Sequence, residues 1–134
     1  MSKKQPVLID TNFILRLLLE DIPSHFKKSK RLFKEIENNK SIGLLSILVI
    51  NELIWILENF YEKKRKDFIP QVLKVLSLKR IKVLEIKKKE LIFILEKMIE
   101  KNLDFTDLYL LCFGKELKHD IASFDKKLVK ESTF

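Results

Sequence analysis

The chain has very few of the residues that build disulfides, thiolate metal sites and flexible linkers. Its 134 residues include one cysteine, two histidines, two glycines and three prolines. A single cysteine, Cys112, excludes an internal disulfide and a cysteine-rich zinc site, and two separated histidines exclude a histidine metal cluster. Any metal ion would therefore be bound by oxygen ligands. The scarcity of glycine and proline also leaves no linker-like stretch, so we expect a single domain over residues 1–134.

Long apolar runs are also missing. The longest uncharged apolar stretch, "SIGLLSILVIN", has 11 residues, well short of the roughly 20 that span a bilayer. The N-terminus lacks the apolar core of a secretory signal. We therefore expect a soluble cytoplasmic protein that makes no use of a membrane, and 46% hydrophobic residues are enough to bury the core of one domain.

Positive charge is in excess. Lys and Arg outnumber Asp and Glu by 27 to 19, which gives a net charge of +8 and favours contact with a polyanion such as RNA or with an acidic protein surface. Lysine runs such as 87–89 also fit solvated helix ends. Charge alone leaves both interpretations open.

Short apolar runs alternate with amphipathic segments. The runs "PVLID", "SIGLLS", "IKVLEI" and "HDIASF" predict strands, of which the first is typical of a buried strand. Apolar positions at helical spacing predict helices between and after them, with Thr11 and Asp104 as N-caps and one helix that begins around Ser46. Further helices are predicted at segments 23–38, 66–78 and 88–101. Strands that alternate with helices need crossover connections, which are typical of a parallel sheet covered on both faces. The predicted fold class is α/β.

Acidic residues occur at notable places in this pattern. Asp10 and Asp125 each follow a predicted strand, and ligands of open parallel sheets bind beyond the carboxyl ends of the strands. Glu52 lies in the most apolar helix, and Asp107 lies one turn after Asp104. Clustered carboxylates stay ionised when a cation lies between them. Mg²⁺ or Mn²⁺ suits such oxygen ligands, and either ion can activate water and neutralise a phosphodiester.

Each acid also has an ordinary structural explanation. Asp104 fits a helix N-cap, Asp107 fits a first-turn charge, and Asp125 fits a cap for the segment "KKLVK". Glu52 could pair with a lysine across a helix interface. A shared site is favoured because separate segments bring carboxylates to one edge of the predicted sheet.

Four stretches together carry a resemblance to a known family. In chain order they are "LIDTNFILRLLL", "LSILVINELIWIL", "LDFTDLYLL" and "IASFDKKL". Over residues 6–128 the chain resembles PIN-domain ribonucleases, most closely the VapC-type toxins of type II toxin–antitoxin pairs. The resemblance implies a PIN-like α/β/α sandwich with a central parallel sheet, and an endoribonuclease that depends on Mg²⁺ or Mn²⁺.

The resemblance also implies roles for individual residues. The family's acidic quartet corresponds to Asp10, Glu52, Asp107 and Asp125, with Asp104 as a further metal ligand. Asp107 takes the third place because it directly precedes the apolar helix "LYLLC", although the family often has an alanine-rich stretch there. Three polar residues of the same motifs would orient carboxylates or water: Thr11, Asn12 and Ser123. Ordinary capping and turn chemistry explains these three equally well.

Partners and alternatives follow from the same comparison. The resemblance implies an RNA substrate, a cognate antitoxin and a homodimer. Phe26 or Phe33, if exposed, could serve either protein interface, but core packing is the favoured use of each. The alternative is a non-catalytic, basic RNA- or protein-binding PIN-like module whose RNA binding does not respond to a chelator. A phospho-accepting receiver domain and a haloacid-dehalogenase-like phosphatase are disfavoured, because "IDTN" supplies one acid where those proteins need two.

Overall fold

The computed structural model describes residues 5–132, and its fold class is α/β, as predicted. The chain forms two compact units, one ending at Lys88 and the other beginning at Lys89. Within the described residues, no helix is both long and apolar enough to cross a membrane.

The first unit is built on a parallel sheet. Its strands are β1 (Val7–Leu8), β2 (Gly43–Leu45) and β3 (Ile81–Val83), in the order β1-β2-β3. Both strand pairs are parallel, with Val7 opposite Gly43 and Gly43 opposite Ile81. Helices supply the crossover connections that parallel pairing requires, and they are α1 (Thr11–Leu19), α2 (Pro23–Glu37), α3 (Ile47–Asn59) and α4 (Arg65–Leu76).

The centre of this unit is closely packed around β2. A Cβ atom built on Gly43 would lie 2.8 Å from the Cδ1 atoms of Ile9 and Ile81, and 2.9 Å from that of Ile36. Leu45, at the end of the same strand, is completely buried. Helix α3 buries one apolar face, formed by Ile47, Ile50, Leu53, Ile54 and Leu57. The removal of this apolar surface from water stabilises the unit.

Strand β1 differs from the expected buried strand. Val7 and Leu8 are 36% and 70% exposed, because within the described residues β1 is an edge strand of the sheet. Ile9, directly after the strand, is buried and donates its N–H to the Leu44 carbonyl at 3.0 Å. The prediction of a strand here is confirmed, and the prediction that it is buried is wrong.

The second unit is helical. It contains α5 (Lys88–Glu100, whose first residue closes the first unit), α6 (Phe105–Leu117) and α7 (Lys126–Ser132), and α6 packs against α7. The fourth strand predicted at "HDIASF" is wrong, because residues 119–124 form neither helix nor strand. The Ser123 hydroxyl instead accepts a hydrogen bond from the Asp125 N–H at 2.9 Å. Such a local side-chain bond competes with strand pairing.

Helix ends follow the sequence closely, with two features of note. Helix α3 begins next to Ser46, as predicted, and the Ser46 hydroxyl caps it by accepting the Leu48 N–H at 3.1 Å. The prediction that Thr11 caps α1 is wrong, because the N-cap is Asp10 and Thr11 is the first helical residue. Helices α1 and α6 end at Glu20 and Lys118, which adopt left-handed backbone conformations with φ of 54° and 57°. Glycine is the usual residue at such positions.

Candidate active site

Asp10 lies where β1 passes into α1. Its backbone is extended, and its carbonyl accepts the N–H groups of Phe13 and Ile14 at 3.1 and 3.3 Å, which begins the helix. Its side chain is exposed and makes no cap hydrogen bond. Among residues 5–132, no hydrogen bond or ion pair involves this carboxylate. The fold therefore holds an uncommitted carboxylate at the carboxyl end of a parallel strand, where ligands of such sheets bind.

Glu52 lies on the exposed side of α3, a helix that packs against α1. The apolar neighbours Ile50 and Leu53 are completely buried, whereas Leu48 and Trp55, one turn to either side of Glu52, are 73% and 63% exposed. Glu52 is therefore exposed, with exposed apolar side chains beside it on the same side of α3. Its carboxylate is directed outward because the helix turns its apolar stripe inward.

Glu85 is a further carboxylate, one that no sequence motif singled out. It follows β3, and it accepts hydrogen bonds from the Ser46 hydroxyl and, at 2.8 Å, from the Ile47 N–H. Partial burial acts to raise the pKa of Glu85, but these two hydrogen bonds, together with the backbone N–H of Glu85 itself, outweigh it and lower the pKa below its ordinary value. Glu85 thus joins the end of β3 to the start of α3. The sequence pattern placed Glu85 inside the predicted strand "IKVLEI", whereas β3 ends at Val83.

Two acids begin α6 in the second unit. Asp104 is the N-cap, as predicted, and its backbone is extended, but its side chain makes no cap hydrogen bond. Asp107 is half-buried in the first turn. Their spacing of three residues places both on one side of the helix start, where the helix dipole favours negative charge.

Asp125 stands at the start of α7 and acts as its cap. Its Oδ1 atom accepts the Lys127 N–H at 2.9 Å and the Leu128 N–H at 3.4 Å. The capping interpretation of Asp125 is therefore confirmed, and its Oδ2 atom is left for any other ligand. Ser123 contacts the backbone of Asp125 through its hydroxyl.

The remaining polar residues of the first motif lie in the first turn of α1. Thr11 is buried, with 3% of its surface exposed, and Asn12 is exposed. Within the part of the chain that the structure describes, neither makes a hydrogen bond to the carboxylates discussed above. Their orienting role stays a prediction.

The predicted carboxylates divide between the units. Asp10 and Glu52 belong to the first unit, and Asp104, Asp107 and Asp125 belong to the second, so the gathering of all five stays a prediction. Across residues 5–132, no group of three or more His, Cys, Asp or Glu side chains is placed to hold a metal ion. Mg²⁺ commonly binds through one or two carboxylates and keeps several waters. Asp10 and Glu52 fit that ion by the hard, anionic character of their oxygen atoms.

Proteins built on an open parallel α/β sheet bind ligands beyond the carboxyl ends of the strands, and Asp10 lies at such a position. A family model described as PIN domain matches residues 7–131, and the chain therefore belongs to the PIN domain family. The match extends across both units. PIN domains are generally nucleases and typically use divalent metal ions. Comparison with curated proteins and with solved structures gave no match.

Proposed function

We propose that this PIN domain is a divalent-metal-dependent endoribonuclease that hydrolyses RNA phosphodiester bonds and acts as the VapC-type toxin of a toxin–antitoxin pair. The observation that carries the proposal is the Asp10 carboxylate, which is exposed at the carboxyl end of β1 without a partner in the described residues. An anion in that position is suited to a cation, and the family supplies the reaction class.

The site residues divide the chemistry among them. The residues proposed to hold Mg²⁺ or Mn²⁺ and to form the active site are Asp10, Glu52, Asp107 and Asp125, with Asp104 as a further ligand. A divalent ion, when bound there, supplies positive charge to the phosphodiester and lowers the pKa of a bound water.

Glu52, exposed on α3, is suited to accept the proton of the attacking water. The water oxygen bonds to phosphorus, the bond from phosphorus to one ester oxygen breaks, and a proton passes to that oxygen. Asp125 keeps Oδ1 for capping and offers Oδ2. Thr11, Asn12 and Ser123 orient these groups from the adjoining turns.

The toxin role adds partners. We propose a single PIN domain that acts in the cytoplasm, forms a homodimer and is neutralised by a cognate antitoxin. Apolar surface for such contacts is present on α3 and just after it, where Leu48, Trp55 and Phe60 are 73%, 63% and 73% exposed. Phe33 is buried, with 6% of its surface exposed, and is unavailable for contact, while Phe26 is half-buried.

The test is cleavage-site mapping on total RNA with wild type, Asp10→Asn and a matched control, Asp67→Asn, which changes an exposed acid of α4 outside the proposed site. We expect defined cuts from wild type and Asp67→Asn with Mg²⁺ or Mn²⁺, and none with EDTA or from Asp10→Asn. Equal cutting by Asp10→Asn would disprove the assignment. If the protein binds RNA with the same affinity with and without EDTA and never cuts it, the result would instead support the non-catalytic RNA-binding module.

The toxin role has its own test. Induced expression of wild type in bacterial cells should arrest growth, and expression of Asp10→Asn at the same level should not. If wild type and Asp10→Asn both arrest growth, the toxicity does not depend on the proposed nuclease site, and the proposal is contradicted.

A further inference from the structure

One side of α2 carries a concentration of positive charge. Residues 23–40 contain six Lys or Arg and two Asp or Glu, a net charge of +4 and half of the +8 of the whole chain. Five of these cations line a shallow groove of about 360 Å³, which we call the α2 basic groove: Lys27, Lys30, Arg31, Lys34 and Lys40. Its other lining residues are Glu35 and Asn38.

The helix and the turn after it build this groove. Positions 27, 30, 31 and 34 are three or four residues apart and therefore share one side of α2, while Ser29, Phe33 and Ile36 form the buried side. After the helix, Asn39 takes a left-handed conformation, and the Lys40 N–H donates to the Glu35 carbonyl at 2.8 Å. The turn thus brings Lys40 back beside the last turn of the helix.

This arrangement is unfavourable for the helix by itself. Lys27 and Arg31, and likewise Lys30 and Lys34, are like charges four residues apart, which destabilise an isolated helix. Within residues 5–132, no carboxylate forms an ion pair with any of the five cations. Lys30 lies 5.5 Å from the centre of the Phe26 ring, which offsets only a small part of the repulsion.

The lining identifies the kind of anion. Protein partners are held mainly by buried aromatic and apolar anchors at the centre of an interface, and no apolar side chain lines this groove. Exposed lysines and an arginine are the groups that contact a phosphate backbone. Positions 27 to 34 span about 10 Å along the helix axis, so these cations can contact neighbouring phosphates of one strand.

We propose that the α2 basic groove binds the sugar-phosphate backbone of RNA, independently of base sequence, and so holds the substrate outside the carboxylate site. The identity of the polyanion as RNA rests on the proposed function, but the binding itself needs neither a metal ion nor cleavage. The groove therefore contributes to the affinity for RNA, and the carboxylates contribute to its cleavage.

The experiment measures the binding of a fluorescein-labelled, single-stranded 12-nucleotide RNA of mixed sequence in EDTA over a range of salt concentrations. The test variant combines Lys27→Gln, Lys30→Gln and Lys34→Gln. The matched control combines Lys63→Gln, Lys66→Gln and Lys74→Gln, which removes the same charge from exposed lysines elsewhere in the first unit. Full-length protein is used throughout, and thermal unfolding confirms that each variant folds.

We expect the test variant to bind at least about tenfold more weakly and its salt dependence to fall by about two in the slope of log K against log salt, since each phosphate contact on a single strand contributes about 0.7. The control should change both quantities much less. The test variant should unfold no earlier than wild type, because it loses like-charge repulsion.

Two results would overturn the proposal. One is an unchanged affinity and salt slope in the test variant, or an equal loss in the control. The other is binding of labelled poly-L-glutamate as tight as that of RNA, with the same loss in the test variant, which would make the groove a site for acidic proteins. If wild type binds RNA as described but never cuts it with Mg²⁺ or Mn²⁺, the proposed nuclease function fails while the groove stands.

Discussion

Asp10 and Asp125 each precede a helix, one in each unit, but only Asp10 follows a strand, and their carboxylates make different hydrogen bonds. Each follows a predicted strand and begins a helix, yet the Asp10 carboxylate makes no cap hydrogen bond, whereas Asp125 Oδ1 accepts two N–H groups of the turn that it starts. An acid before a helix is therefore no guide by itself to a ligand or a cap. The distinction is whether the first N–H groups of the helix already hold its oxygen atoms.

The largest expected effect tests the functional side of this comparison. Asp10→Asn should lower the rate of RNA cleavage by about 10³-fold, about 4 kcal/mol of transition-state stabilisation, because it removes a cation-binding charge. Asp125→Asn should also lose activity, since asparagine preserves a helix cap and the change removes only the charge. Initial rates on a fluorophore-quencher RNA with Mg²⁺ measure both. Full activity in Asp125→Asn would show that Asp125 serves only as the N-cap of α7.

Alanine substitution at the two glycines, one in each unit, tests how closely each glycine is packed. Gly43→Ala should lower the free energy of unfolding by about 2 kcal/mol, because its Cβ would meet three buried isoleucine side chains below 3.0 Å. Gly114→Ala, in α6, should change it by less than about 1 kcal/mol, because alanine favours the helix and its Cβ would lie 3.1 Å from the carbonyl of His119 in an irregular segment. Urea unfolding of both variants measures the difference, and equal effects would contradict this account of the packing.

Alanine variants test the capping side of the comparison. Asp125→Ala should lower the free energy of unfolding by about 1 kcal/mol, the usual contribution of a side-chain cap. Asp10→Ala should change it by less than about 0.5 kcal/mol, because no cap hydrogen bond is lost. Thermal unfolding monitored by circular dichroism is the measurement. A larger loss from Asp10→Ala would show that its carboxylate stabilises the fold.

Glu85 gives the smallest effect, and that effect depends on pH. Its pKa is lower in the folded chain than the ordinary value of 4.5, so its hydrogen bonds to Ser46 and Ile47 stabilise the folded state above that pH and are lost as the pH falls through the folded value. Glu85→Gln should therefore lower the free energy of unfolding by about 0.5–1 kcal/mol at pH 7. The difference from wild type should shrink below about pH 4.5, and a difference that grows on acidification would contradict the stated cause.

The sequence predicted most elements because their periodicity is strong. The amphipathic segments at 23–38, 66–78 and 88–101 correspond to α2, α4 and α5 with ends displaced by no more than two residues, and the strands after Pro6 and around Gly43 and Ile81 are present. "HDIASF" has the composition of a strand, but the local hydrogen bond between Ser123 and Asp125 competes with pairing.

Predictions about the site were limited for a different reason. Chain position identified Asp10 at the end of β1, but it gave no information on which side of α3 Glu52 would occupy, nor on how many hydrogen bonds each carboxylate would accept. Glu85 was missed because its role depends on Ser46 and Ile47, which lie nearly 40 residues away along the chain. Such contacts are long-range and leave no periodic pattern in the sequence.

The left-handed residues that end α1 and α6 have a consequence for adaptation. Glu20 and Lys118, like Glu62 after α3, have a left-handed backbone conformation. This conformation costs an L-residue roughly 1–2 kcal/mol, and glycine adopts it without strain. Glycine at these positions, which lie outside the proposed catalytic set, would therefore raise the thermal stability of the chain. A lineage that adapts to a hotter environment could gain stability by such single substitutions without changing the residues of the proposed nuclease site.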